Sequence, residues 1–451
     1  MTLDSRRAGI LLHPTSLPSG TLADAERWLD WLHDAGVGVW QMLPLGLPLS
    51  GLSPYQCVSA FAANVALFET DAAAPDEADF AAWCARQAHW LDDFARFVVI
   101  RSMHGGAPWT DWPAPWRDRE PVALADLERA RAAALRAARL AQYRAARRWR
   151  AIRAAAAARG IALFGDMPIF VAHDSADVWA RRDLFRLDAT GHPTVVTGVP
   201  PDYFSETGQR WGNPHYDWAA MQADGFAWWR RRLAAHFEWF DLVRIDHFRG
   251  LAAAWSIPAT EPTAIHGEWM PAPGAALLQA IVDELGDPPL VAEDLGIITP
   301  DVEALRQRFG LPGMAVLQFA FDAHADNPHK PENVTPNTVY YTGTHDNDTT
   351  VGWWAALPDD VQQAALRQLG VADAAAMPGA MIDTVLASRA ALAVLPMQDV
   401  LGLGSAARMN TPGTETGNWA WRFDWADLPS GLAPFLLEQL QKTDRCETTR
   451  T

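Results

Sequence analysis

The stretch "FDLVRIDHFRG", residues 240–250, decides the fold. Its first four residues read as the entry of a buried strand. Arg244 and Asp246 then fall on alternate positions, with Ile245 between them. Successive side chains of a strand point to opposite faces, so this guanidinium and this carboxylate share one face. Charges are rarely buried without a purpose. A strand that turns from apolar to charged at its C-terminal end fits a parallel barrel, where such residues gather at the mouth.

Seven other short apolar runs have the same character, and most end in Asp, Glu, His or a turn. They are "AGILLHP" from Ala8, "GVGVWQMLPLG" from Gly36, "IALFGDMPIF" from Ile161, "PLVAEDLG" from Pro289, "GMAVLQFAFD" from Gly313, "TVYYTGTHDND" from Thr338 and "LAVLPMQDV" from Leu392. Helical patterns separate most of them. Examples are "DAERWLDWLHDAG", the Ala/Arg-rich stretch 124–160, "GFAWWRRRLAAHFEWF", "GAALLQAIVDELG" and the segment 358–391. In "PDVEALRQRFG", Pro300 opens and Gly310 closes a helix in the usual places. Strand and helix alternating eight times predict an α/β fold of parallel strands with right-handed crossovers, a (β/α)8 TIM barrel. Residues 51–126 and 171–225 are too long, and too rich in Pro, Trp and Gly, to be plain connections. They are expected to be subdomains inserted after strands two and three, at the C-terminal face of a single catalytic domain spanning residues 1–451.

Composition narrows the partners. A length of 451 residues suits a large barrel with insertions. A net charge of −17 argues against nucleic acid and against an anionic membrane, which both attract basic surfaces. Only two of the 37 basic residues, Lys330 and Lys442, are lysines, a bias with no functional message. The 22 tryptophans carry flat faces suited to sugar rings, although core packing accounts for most tryptophans in any protein. Cys57, Cys84 and Cys446 are far apart and odd in number, so neither a disulfide framework nor a zinc site is expected. The N-terminal sequence has no secretion-signal pattern, and no apolar run reaches the roughly 18 residues of a membrane span. The expected setting is cytoplasmic, without membrane or nucleic acid.

Strand-end carboxylates are the first candidates for chemistry: Asp166, Asp246, Glu293, Asp346 and Asp399. Any one of them alone could simply cap a loop or helix. Several at one barrel mouth repel one another and need a use. One use is a retaining cleavage of a glycosidic bond, by a nucleophilic carboxylate and an acid/base about 5 Å away. Arg244 is placed to keep Asp246 ionised. Glu293, after "LVA" and before Asp294, is placed to hold its proton longer. Competing motifs are weaker. "GLGSAA" at 402–407 imitates a dinucleotide fingerprint but comes late in the chain. "HDND" at 345–348 lacks a second histidine at metal-binding spacing, and no GxSxG occurs. Neither a metal nor a cofactor is expected.

The chain resembles the 4-alpha-glucanotransferases of glycoside hydrolase family 77, within the alpha-amylase superfamily. The stretches that carry the resemblance include "ILLHPTSLPSG", "SPYQCVSAFAAN", "GDMPIFVAHDSADVWA", "GVPPDYFSETGQRWGNPHYDW", "RIDHFRG", "VAEDLGIITPDV", "YTGTHDNDTTVGWW" and "PMQDVLGLGSAARMNTPGT". The resemblance implies Asp246 as nucleophile, Glu293 as general acid/base and Asp346 as transition-state stabiliser. It also implies Arg244 and His345 around the nucleophile, Asp166 in the donor site and Tyr55 beside the sugar path. Trp211 and Tyr203 are implied as stacking surfaces on the acceptor side. The substrates implied are maltooligosaccharides and other α-1,4-glucans, as donor and acceptor. The chain departs from the family pattern at "TLADAER" after "LPSG", and at Ala63-Asn64-Val65. Two other outcomes suit the same residues: an α-1,4-glucan hydrolase of the alpha-amylase type, and a non-catalytic maltodextrin-binding protein.

Overall fold

A computed structural model describes residues 5–49, 53–69, 73–201, 205–414 and 416–446. In chain order its strands are β1 (Arg7–Leu11), β2 (Val39–Gln41), β3 (Ala162–Pro168), β4 (Val195–Val199), β5 (Gln209–Pro214), β6 (Leu242–Asp246), β7 (Ala253–Pro258), β8 (Glu268–Pro271), β9 (Leu290–Ala292), β10 (Gly313–Val316), β11 (Thr338–Tyr341) and β12 (Leu392–Pro396). Eight of these form a parallel sheet in the order β10-β11-β12-β1-β2-β3-β6-β9. Its ends meet where the Ala292 N–H donates to the Pro312 carbonyl at 2.9 Å and the Met314 N–H to the Asp294 carboxylate at 2.7 Å. All eight apolar runs of the sequence become barrel strands, and the fold is a (β/α)8 barrel.

The alternation of side chains divides the core in two. Leu11, Val39, Phe164, Leu242, Val291 and Leu392 fill the barrel interior. Their neighbours along the strands, such as Ile10, Leu163, Val243 and Ala393, pack outward against the helices. The helix Ala25–Asp34 buries Trp28, Leu29 and Leu32, and the helix Ala227–Trp239 buries Trp228, Trp229 and Leu233. Phe164 pairs with Leu242 across β3 and β6, and two residues on Asp166 pairs with Arg244. Period two therefore places Asp166, Arg244 and Asp246 on the inward face, directly above the apolar layer.

Three details refine or differ from the sequence expectation. First, residues 320–337, between β10 and β11, carry no α-helix. Polar side chains there bond the backbone instead: Asn327 donates to the Phe319 carbonyl, and Asn333 to those of Ala325 and Asn327, each at 2.8 Å. Such bonds compete with helix formation. Second, the Ala/Arg-rich stretch is two helices, Pro121–Ala130 and Ala132–Ala158, broken at Arg131. The break lets Leu127 and Leu135 both reach the core. Third, a four-stranded antiparallel sheet in the order β5-β4-β7-β8 stands beside the barrel. It draws β4 and β5 from before β6, and β7 and β8 from after it. The departing Ala63 is gripped by the Gln142 amide, which accepts from its N–H and donates to its carbonyl at 2.9 Å each. Asn64 caps the turn that follows.

Gly165 faces outward on β3, where a Cβ would lie 2.2 Å from the Phe240 ring. Real Cβ atoms do not approach that closely, so Gly165→Ala must push the ring or the strand aside. The expected cost is about 1–3 kcal/mol. It should appear as a lower urea midpoint at unchanged slope.

Candidate active site

The site is built on the C-terminal ends of β3, β6, β9 and β11. Arg244 is its centre. Its side chain is 4% exposed and that of Asp166 is 0% exposed. The guanidinium grips Asp166 with two bonds, Nε to Oδ1 at 3.0 Å and Nη2 to Oδ2 at 2.7 Å. The same Nη2 donates to Asp246 Oδ1 at 2.8 Å and to the Tyr55 hydroxyl at 3.1 Å. Asp246 is the open member, with its side chain 31% exposed to the groove.

Tyr55 joins this centre to His345. Its hydroxyl lies 2.7 Å from Asp166 Oδ2 and 2.8 Å from His345 Nε2, and the rings are stacked at 5.3 Å. Burial holds the phenol well above its ordinary pKa, so it keeps one proton to give. A carboxylate held by a guanidinium only accepts, so that proton goes to Asp166. His345 Nε2 must then carry the hydrogen that faces Tyr55. Burial also lowers the His345 pKa, which keeps the ring neutral.

Glu293 stands two residues beyond the inward-facing Val291. Its Oε2 accepts from the His247 N–H at 2.6 Å and its Oε1 from the Leu295 N–H at 3.0 Å. His247 follows Asp246 directly and has a left-handed backbone, with φ 51°. That conformation is uncommon for a side-chain-bearing residue and is tolerated where the surroundings enforce it. Here it turns the amide onto Glu293, so one backbone link ties the two carboxyl groups together. Burial pushes both Asp246 and Glu293 above the usual carboxylate range, and Arg244 pulls both back. Asp166, Glu293 and Asp346 add to the rise at Asp246.

Asp346 completes the rim at 49% side-chain exposure. Asn410 donates to its Oδ1 at 2.6 Å, and Arg408 to its carbonyl at 2.7 Å. Trp211, on β5, meets the His247 ring edge-on at 4.8 Å and donates to Gln209 at 3.1 Å. Apart from the buried Asp166, these groups open onto one groove of about 900 Å³, whose walls include Trp211, Trp269, Ile297 and Trp419. That is ample for a small-molecule site.

The structure thus brings Tyr55, Trp211, Arg244, Asp246, Glu293, His345 and Asp346 to one groove, with Asp166 buried beneath it against Arg244. Tyr203 lies outside the described residues. Asp399 is elsewhere in role: it is buried and accepts from Thr342 Oγ1 and the Thr350 N–H, each at 2.6 Å. The sequence reading missed Asn410, Trp419, His247 and His13. Burial lowers the His13 pKa to about 3, within electrostatic reach of His345. His247 was adjacent to Asp246 in sequence, and His13 stands two residues past Leu11 on the same inward period. Asn410 gave no such signal, because only the folded chain carries it to Asp346. Among the described residues, no three His, Cys, Asp or Glu side chains group as metal ligands. Nor is any single helix there long and apolar enough to cross a membrane.

The sequence profile of glycoside hydrolase family 77, described as 4-alpha-glucanotransferase, matches residues 11–74 and 65–427. The chain belongs to the 4-alpha-glucanotransferase family. A 4-alpha-glucanotransferase of Thermus thermophilus is 47% identical over 484 residues, covering 95% of this chain and 96% of the relative. One from Synechocystis is 45% identical over 497 residues, covering 97% and 98%. Among solved structures, an amylomaltase from Streptococcus agalactiae in complex with acarbose superposes with a TM-score of 0.93 at 32% identity, covering 98% of this chain and all of that one. An amylomaltase from Corynebacterium glutamicum shares the fold at a TM-score of 0.78 and 17% identity, with 99% and 76% covered.

In this glucanotransferase, Arg244 is the cation that opposes the upward pull on Asp246. Arg244→Ala removes that opposition, so the Asp246 pKa rises and the ionised form is lost at higher pH. The acid limb of the rate–pH profile should move up by about one unit or more. An unmoved limb would mean that Arg244 serves position alone.

Proposed function

We propose that the groove carries out disproportionation of α-1,4-glucans by a retaining double displacement. The observation that carries this reading is the unequal treatment of two linked carboxyl groups. Asp246 has the guanidinium at 2.8 Å, while Glu293 has only backbone amides. When the pair holds a single proton, the contact with Arg244 favours ionised Asp246, and the proton stays on Glu293.

The steps follow from that division. Arg244 occupies Oδ1 of Asp246, which presents Oδ2 to the anomeric carbon. Oδ2 attacks while the bond from that carbon to the glycosidic oxygen breaks, and the Glu293 proton passes to the leaving oxygen. The shortened glucan departs. The 4-hydroxyl of an acceptor then attacks the glucosyl–Asp246 ester, its proton returns to Glu293, and Asp246 is released. Two inversions restore the α configuration. Asp346, held by Asn410, steadies the distorted sugar through its hydroxyls.

Transfer outruns hydrolysis when a sugar, rather than water, is positioned for the second step. Trp211 and Gln209, contributed by the insert 171–225, line the same groove as Glu293. Tyr55, contributed by the insert 51–126, lines it as well. On this reading the two inserts serve the reaction by shaping donor and acceptor sites. A reducing, cytoplasmic setting suits the three widely separated cysteines, Cys57, Cys84 and Cys446.

Incubation with maltotriose should release glucose and build longer maltodextrins while total reducing ends stay constant. Reducing ends that rise with time would make the enzyme a hydrolase of the alpha-amylase type. Glu293→Gln should lower the rate roughly 10²–10⁴-fold. A maltodextrin-binding protein would instead release no glucose in either form and would bind the sugars equally well with glutamine in place.

A further inference from the structure

The strongest unexplained charge lies behind the site. Arg232, on the inner face of the helix Ala227–Trp239, is 2% exposed. It forms no contact ion pair among the described residues. Its Nη2 donates to the Pro168 carbonyl at 2.5 Å, and its Nη1 to the Ile169 carbonyl at 3.2 Å and the Tyr216 hydroxyl at 3.4 Å. The Tyr216 hydroxyl in turn donates to the Ile169 carbonyl at 2.7 Å. The guanidinium carbon sits 5.3 Å from the ring centres of both Trp228 and Trp229. Burying a guanidinium against carbonyls alone is costly, and burial lowers its pKa. A core that needed only packing would be better served by an apolar side chain of the same volume.

What Arg232 holds is the exit of β3. Pro168 ends that strand two residues after Asp166, and Ile169 begins the following loop. Asp177, also buried, has a matching task on the other wall. Its Oδ2 accepts the Ala60 N–H at 2.8 Å, which anchors the loop that carries Tyr55. Arg232 and Asp177 stabilise each other's charge through the low-dielectric interior. Between these walls lies a cavity of about 70 Å³ bounded by Arg232, His236, Cys57, Asp166 and Tyr55. The floor of the site therefore stands over a small gap.

We infer that Arg232 is a positioning residue for the transfer reaction: by clamping the Pro168 and Ile169 carbonyls, it sets the place of Asp166 and so the aim of Arg244 at Asp246. Asp166 is the two-point anchor of the Arg244 fork. Any shift of the β3 exit swings that fork, and the contact to Asp246 is the one that loosens. Arg232 touches neither substrate nor the reacting carboxylates, so its removal should act on the chemical step and not on glucan binding.

The inference rests on the transferase reading, and the test separates the two. Arg232→Met keeps the length of the side chain and loses both charge and clamp. Arg232→Lys keeps the charge but loses the two-pronged grip. Glucose release from maltotriose is measured for the wild type and both variants across pH. Both variants should lose about tenfold or more in kcat with KM nearly unchanged, since small misplacements are felt strongly in the chemical step. Their acid limbs should also move upward, because a poorly aimed Arg244 no longer draws Asp246 down. If Arg232→Met does not fold, Arg232→Lys decides alone. Wild-type kcat and an unmoved acid limb in a folded variant would overturn the inference and leave Arg232 a structural residue. A wild type that releases no glucose would instead overturn the transferase reading.

Discussion

The structure depends on one buried guanidinium serving two carboxylates. Arg244 spends its fork on Asp166 and still reaches Asp246 from the same Nη2. Removing such charges from water costs several kcal/mol per ion, and only well-aimed partners offset it. The partners here come from the register of neighbouring strands, in which Asp166 lies opposite Arg244 and Pro168 opposite Asp246. A one-residue slip of β3 against β6 would turn Asp166 to the outer, apolar face. The apolar layer beneath it, including Phe164 and Leu242, is what forbids that slip. The ionic centre and the barrel core therefore specify each other.

Tyr55 extends the same logic beyond the strands. Its oxygen has three close partners and one hydrogen, so only one pattern of donors satisfies them all. That pattern fixes the protonated nitrogen of His345, the residue before Asp346. A loop residue after β2 thus orders the end of β11 on the far side of the barrel. Loops carry function well when a rigid scaffold positions them. Here the loop is pinned by Asp177 at Ala60 and by the Gln56–Asn213 side-chain bond at 3.1 Å.

The barrel was legible because its strands are short apolar runs that change to polar at one end. The same change exposed Asp246, Glu293 and Asp346, since position along a strand is written directly in sequence. Asp166 was visible by that rule as well, but its partner was not: pairing across strands depends on register. The linkage of Glu293 to the His247 amide was equally hidden, because a left-handed residue other than glycine leaves no compositional mark. The small sheet was missed for a topological reason. β4 pairs with β7 across the whole of β6, and no local pattern announces such a pairing. Between β10 and β11, where no helical pattern was read, asparagine side chains take the backbone bonds that a helix would need.

Charge counting gives the last constraint. Arg244 is the one guanidinium seated among Asp166, Asp246 and Glu293 in this centre, and Asp166 takes two of its three bonds to carboxylate oxygens. The remaining bond goes to one more carboxyl group, Asp246, while Glu293 feels the guanidinium only through space. Glu293, in a buried setting, has both oxygens on neutral backbone amides instead. Two chemically equal side chains thereby become different without any difference in residue chemistry of their own. The asymmetry comes from a single hydrogen bond and from the strand register that directs it. A device of this kind is sensitive to small displacements of the strand ends.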